Sequence, residues 1–144
     1  MIWIDGSALP SSGPSGAGAY LEFGPWNRKL TICKALGNGS KQGAELEAVD
    51  NSLSWLLENY KKRKLCEFEI LHIISDGSYA QGVLLEGHNI STNRKQYRKT
   101  VDVFKRASRK WKIRWSYVKA HTGILGNQIA DSLAWKGVEK SKQT

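Results

Sequence analysis

Apolar positions along the chain follow two different periods, and the change between them divides it into elements. Ile2-Trp3-Ile4 is apolar and β-prone, and Asp5-Gly6-Ser7 reads as its end, which predicts Asp5 at the tip of a strand. A segment rich in glycine, proline and serine, 8–16, reads as a loop. Two β-prone runs, 17–23 and 29–36, follow it and are joined around Gly24-Pro25-Trp26-Asn27. From Ala44 the spacing lengthens: Leu46, Val49, Leu53, Leu56, Leu57 and Tyr60 mark one face of an amphipathic helix of about five turns. A short apolar strand is predicted over 67–75 and a short helix over 78–85. A longer helix over 93–108 carries Tyr97, Val101, Phe104 and Ala107 on one side. Trp111, Ile113, Trp115 and Tyr117 alternate with Lys112, Arg114 and Ser116 in a half-buried strand, and 126–136 returns to helical spacing.

The order βββαβααβα predicts an α/β fold. Its five-stranded mixed sheet is antiparallel through the first three strands, parallel where helices intervene, and flanked by those helices. With 144 residues and no internal repeat or linker, the chain is expected to form a single domain over 1–140 with a short tail at 141–144. No apolar run approaches the roughly 20 residues of a membrane span. Two cysteines, Cys33 and Cys66, supply neither a disulfide framework nor zinc spacing, so a reducing, intracellular setting is expected. The net charge of +9 favours a polyanionic partner, and the basic residues cluster at 61–64 and again between 94 and 114.

Set in this basic frame, several acids stand out. Asp5 and Asp76 each close a β-prone run and each precede Gly-Ser, so if their strands are parallel neighbours the two carboxylates emerge side by side. Each is equally readable as a turn former or helix cap. On the long helix Glu45 lies roughly 60° from the centre of the apolar stripe and Glu47 roughly 140° away, which predicts Glu45 at the core's border and Glu47 facing water. Asp131 lies one turn after Asn127 on one helix face, ten residues beyond His121. Carboxylates packed together in a basic protein need cations to stay ionised, and an all-oxygen ligand set selects Mg²⁺ or Mn²⁺. Two such ions about 4 Å apart suit an in-line phosphodiester displacement.

Four blocks, in order, resemble ribonuclease H of type 1 across nearly the whole chain. They are Ile4-Asp5-Gly6-Ser7 with the loop 13–19, then 44–48 around Glu45, then Ser75-Asp76-Gly77-Ser78-Tyr79, and last 118–123 with Gly126-Asn127 and Ala130-Asp131. The last block is closer in form to cellular eukaryotic and retroelement members than to the common enterobacterial one. The resemblance implies a metal-dependent endonuclease that cuts the RNA strand of RNA–DNA hybrids, leaving a 3′-hydroxyl and a 5′-phosphate with little sequence specificity. Two Mg²⁺ ions, with Mn²⁺ as a substitute, would be held by Asp5, Glu45, Asp76 and Asp131. Asp5 would bridge them, Asp131 would complete the ion that activates water, and Glu45 with Asp76 would hold the ion near the leaving group. His121 would move protons or release product. The alternatives are a noncatalytic hybrid-binding or connection-type domain of a polymerase, and a related DNA-cutting transposase core.

Hybrid contacts implied by the same resemblance fall on Ser7, Ser11, Ser12, Lys41, Gln42, Gly43 and Ser78, and on the basic stretch Asn93, Arg94, Lys95, Arg98 and Lys99. Members often carry Asn in the first loop, Asn before the helix Glu and Gln after the strand Asp; this chain has Ser11, Lys41 or Gln42, and Ser78 there. The basic stretch is also shorter than in members with a Trp-rich protrusion. No amino-terminal hybrid-binding module is expected before the first strand, and weak processivity, or reliance on an attached or associated reverse transcriptase or replication machinery, would follow. A monomer is expected. Neutralising Arg94, Lys95, Arg98 and Lys99 together should weaken hybrid binding most at low salt and flatten its salt dependence in a titration; an unchanged slope would show that these charges do not meet phosphate.

Overall fold

The computed structural model describes residues 1–24, 28–85 and 94–143. Ten elements follow one another in the order β1 (Ile2–Ala8), β2 (Pro14–Phe23), β3 (Arg28–Asn38), α1 (Lys41–Glu58), a single 3₁₀ turn (Leu65–Glu67), β4 (Ile70–Ser75), α2 (Tyr79–Leu84), α3 (Arg94–Ser108), β5 (Lys112–Tyr117) and α4 (Leu125–Lys142). The strands form one five-stranded sheet in the order β3-β2-β1-β4-β5. The β1–β2 and β2–β3 pairs are antiparallel, and β1–β4 and β4–β5 are parallel. This is the mixed sheet that the alternation of strand and helix patterns implies, because a parallel neighbour needs a crossover long enough to hold a helix.

Side chains sort to the two faces of the sheet by their alternation along each strand. Ile2, Ile4, Ile73 and Leu71 enter a core completed by Leu46, Val49 and Leu53 of α1 and by Val103 and Ala107 of α3. Trp3, Tyr20 and Ile74 lie on the other face with Ala130 of α4, and α4 packs across β1, β2 and β3. Trp111 closes the lower end, donating from Nε1 to the Leu65 carbonyl at 3.1 Å.

Several boundaries differ from those the pattern predicts. Asp5 is not at a strand tip: β1 runs on to Ala8 because its pairing with β2 continues from Asp5↔Gly18 to Ala8↔Ser15, and the predicted loop contracts to 9–13. The strand predicted over 67–75 begins at Ile70, Glu67 belonging to the 3₁₀ turn. The tail expected at 141–144 starts inside α4. Ser141 is buried, donates to the Ser15 carbonyl at 2.7 Å and accepts from the N–H groups of Leu36 and Gly37, each at 3.1 Å. Those tertiary hydrogen bonds hold the last helical turn to the sheet. Pro25, Trp26, Asn27, His88 and Asn93 lie outside the described residues.

Close approach of α4 depends on missing side chains, at Gly16 and Gly137 and, nearest the acids, at Gly18. A Cβ on Gly18 would lie 2.3 Å from the Ala130 carbonyl oxygen and 2.4 Å from the Ala134 nitrogen, both backbone atoms that cannot swing aside. Gly18 is the register partner of Asp5 and Ala130 precedes Asp131, so this contact sets how near the two acids come. Gly18→Ala should therefore cost about 1–3 kcal/mol of stability in urea unfolding. An unchanged midpoint would mean that α4 does not rest on β2 this closely.

Candidate active site

The parallel ladder between β1 and β4 ends at Ile4↔Ser75, and the next residue on each strand is an aspartate. Asp5, still paired to β2, and Asp76, just past the end of β4, thus stand side by side where the parallel ladder stops. Asp5 is buried, and its Oδ1 accepts from the Gly6 N–H at 2.9 Å. Burial pushes its carboxyl up to about 8; the charge of Asp76 adds to the rise, and Asp131 adds both a hydrogen bond and charge. Asp131 is brought there by α4 from one face of the sheet, while Glu45 arrives on α1 from the other.

Glu45 is buried in the first turns of α1, whose N-cap Ser40 accepts from the Gly43 N–H at 2.9 Å. The helix lies so close to β1 that a Cβ on Gly6 would stand 2.4 Å from the Glu45 nitrogen. Gly77 lies against the carboxylate itself, its would-be Cβ at 3.2 and 3.3 Å from the two oxygens. The glycine after each aspartate in the two Asp-Gly-Ser blocks therefore makes room for Glu45. Burial raises the Glu45 carboxyl and Asp76 adds to this, whereas hydrogen bonds from Ser75 (Oγ to Oε1, 3.2 Å) and the Ala80 N–H, and the charge of Lys41, oppose it.

The acids are linked pairwise, Glu45 to Asp76, Asp76 to Asp5 and Asp5 to Asp131. Among the described residues no three acidic, histidine or cysteine side chains are gathered tightly enough to hold an ion as they stand. The donor chemistry is nevertheless all carboxylate oxygen, the type that hard divalent cations take. Asn127, one turn before Asp131, is buried with its Oδ1 lacking a hydrogen-bond partner.

Of the other expected site residues, His121 is exposed in the turn between β5 and α4, with φ +57°. Ser11 and Ser12 form the exposed tip between β1 and β2 (φ +61° and +55°), Lys41 and Gln42 are exposed at the start of α1 beside half-buried Gly43, and Ser78 is exposed before α2. Arg94, Lys95, Arg98 and Lys99 are exposed on α3. Ser7 departs from expectation: it is buried in β1 opposite Gly16, on which α4 packs, and only 5% of its surface is exposed.

Glu47 departs further. It does not face water but is 4% exposed, its Oε1 accepting from Lys34 Nζ at 2.8 Å and Lys99 Nζ at 3.4 Å. The apolar stripe located only the side of α1 that meets the sheet, whereas α3 covers a second side. Glu47, Asp50 and Ser54 recur at helical spacing, and that polar stripe, set against a basic helix, is the signal that marks the second contact.

A mixed sheet in this strand order, with helices on both faces, defines an α/β domain of the ribonuclease H-like class. The LC11-RNase H1 isolated from compost has the same fold, with a TM-score of 0.76 at 19% identity, covering 98% of this chain and 96% of that one. So does the RNase H1 of Halobacterium salinarum, with a TM-score of 0.69 at 18% identity and 96% of each chain covered. The chain belongs to the RNase H family, whose family model matches residues 1–139. Curated relatives include the ribonuclease H of Methylobacillus flagellatus, 29% identical over 96% of this chain and 91% of that protein. Another is that of Shewanella denitrificans, 32% identical over 99% and 89%. As a family member the chain is an enzyme, a hydrolytic nuclease with ribonuclease activity on RNA–DNA hybrids, and the family depends on divalent metal.

Because folding lifts the Asp5 carboxyl from the ordinary 3.8 to about 8, the folded chain holds that proton more tightly than the unfolded one. Between those values the metal-free protein loses stability as pH rises. Asp5→Asn should stabilise it by about 1 kcal/mol or more near pH 8 and by almost nothing near pH 4, measured by urea unfolding in chelator. Equal gains at both ends would mean that Asp5 titrates normally.

Proposed function

We propose that the chain hydrolyses the RNA strand of RNA–DNA hybrids by a two-metal-ion mechanism, leaving a 3′-hydroxyl and a 5′-phosphate with little sequence preference. The observation that carries this reading is the parallel β1–β4 ladder, which ends one residue short of Asp5 and Asp76 and sets the buried Asp5 carboxyl beside Asp76 and Asp131, where burial and their charges push it up to about 8. Such a group is anionic at neutral pH only beside a compensating cation. Mg²⁺, for which Mn²⁺ substitutes, would supply that charge and polarise both the attacking water and the departing oxygen.

Asp5, between its two acidic neighbours, would serve both ions. Asp131 would serve the ion on the water side, and Glu45 with Asp76 the ion on the leaving-group side. Ser75 and the Ala80 N–H hold the Glu45 carboxylate in place, so its oxygens are oriented before any substrate arrives. His121, on an exposed turn, would move a proton or ease product departure.

Ser11, Ser12, Lys41, Gln42, Gly43 and Ser78 would line the minor groove of the hybrid, and Arg94, Lys95 and Arg98 would meet phosphate, contacts that identify ribose and backbone and not base sequence. The setting we infer is intracellular, with the chain acting as a monomer supplied with hybrids by replication machinery or a reverse transcriptase. Among the described residues no helix is long and apolar enough to cross a membrane.

Purified protein should cut the RNA of a labelled hybrid in Mg²⁺ and leave duplex DNA and duplex RNA intact. Asp5→Asn should lower that rate at least about 10³-fold while hybrid binding persists. Cleavage of duplex DNA, or full activity in Asp5→Asn, would overturn the mechanism.

A further inference from the structure

Glu47 takes no part in the reaction proposed above, yet it is buried on the side of α1 away from Glu45 and joins three elements through one carboxylate. Lys34 reaches it from the edge strand β3 and Lys99 from α3. The two lysine side chains are 48% and 54% exposed, while that of Glu47 is only 6% exposed. Both cations therefore stand at the surface with one donor anchored inward. A groove of about 390 Å³, lined by Lys34, Glu47, Gln96 and Gly43 among others, opens beside them toward the first turn of α1. A second polar contact fixes the same helix pair: Thr100 Oγ1 donates to Asp50 Oδ2 at 3.5 Å and accepts from Gln96 Nε2 at 2.9 Å.

We propose that Glu47 is a positioning residue for hybrid binding, holding the ammonium group of Lys34 at this groove and that of Lys99 on α3, and fixing α3, with Arg94, Lys95 and Arg98, against α1. Long cationic side chains lose rotamer freedom when they engage a phosphate, and a cation already tethered at one donor loses less. The buried acid is the tether. The inference rests on the reading of α3 as a backbone-binding helix.

Its sign separates it from a simple charge effect. Removing one anion makes the protein more positive, which by long-range attraction alone tightens binding to a polyanion. Loss of a tether weakens it. Steady-state cleavage and fluorescence anisotropy of the same hybrid should therefore be measured for wild type, Glu47→Gln and Glu47→Asp. In Glu47→Gln, KM and Kd should rise about threefold or more with kcat kept within about twofold. Glu47→Asp, which keeps the charge on a shorter stem, should show a smaller rise in the same direction, and it decides the matter if the Gln variant does not fold. KM or Kd unchanged or lowered, or kcat falling at constant KM, would overturn the proposal. A wild-type protein that bound hybrid without cutting it would instead defeat the catalytic reading, and the anisotropy arm would still decide the role of Glu47.

Discussion

Repulsion around one buried carboxyl, that of Asp5, is the constraint on which the acid cluster depends. Asp5 is buried next to Asp76 and Asp131, and each neighbour makes its ionised form harder to keep. In a low-dielectric setting that repulsion is not relieved by solvent. The fold nonetheless holds these groups together by backbone means. A parallel ladder stops one residue short of two aspartates, and two glycines let α1 reach the end of that ladder with Glu45. A third glycine lets α4 settle on β2 beside Asp131.

Cations within the chain answer only part of this negative charge. Lys41 favours the charged form of Glu45, while Lys34 and Lys99 are committed to Glu47 on the far side of α1. Helix α1 thus carries two buried acids two positions apart that face different neighbours. Glu45 is presented to the acid cluster, and Glu47 is turned toward β3 and α3. Over the whole chain the balance is a net charge of +9, which favours approach of a polyanion.

Much of this was legible in the amino-acid order because local chemistry and periodicity carry it. Strand alternation and the three-to-four spacing of Leu46, Val49, Leu53 and Leu56 predicted the element order and the mixed sheet. Asp-Gly-Ser after two apolar runs predicted adjacent carboxylates, and the four blocks around Asp5, Glu45, Asp76 and Asp131 carried the family resemblance that the RNase H match supports. Those signals survive in sequence because each depends on neighbours a few residues away.

What only the tertiary structure decided is everything set by contacts distant along the chain. Pairing with β2 extends β1 past Asp5, Ser141 is held by β2 and β3 so that α4 outruns its predicted end, and the approach of α4 buries Ser7. Glu47 shows the reason most plainly. A helical wheel locates one apolar stripe, but a helix packed on two sides can bury polar groups wherever a partner such as Lys34 or Lys99 arrives to pair with them. That arrival depends on how β3 and α3 pack, a fact that no window of consecutive residues contains.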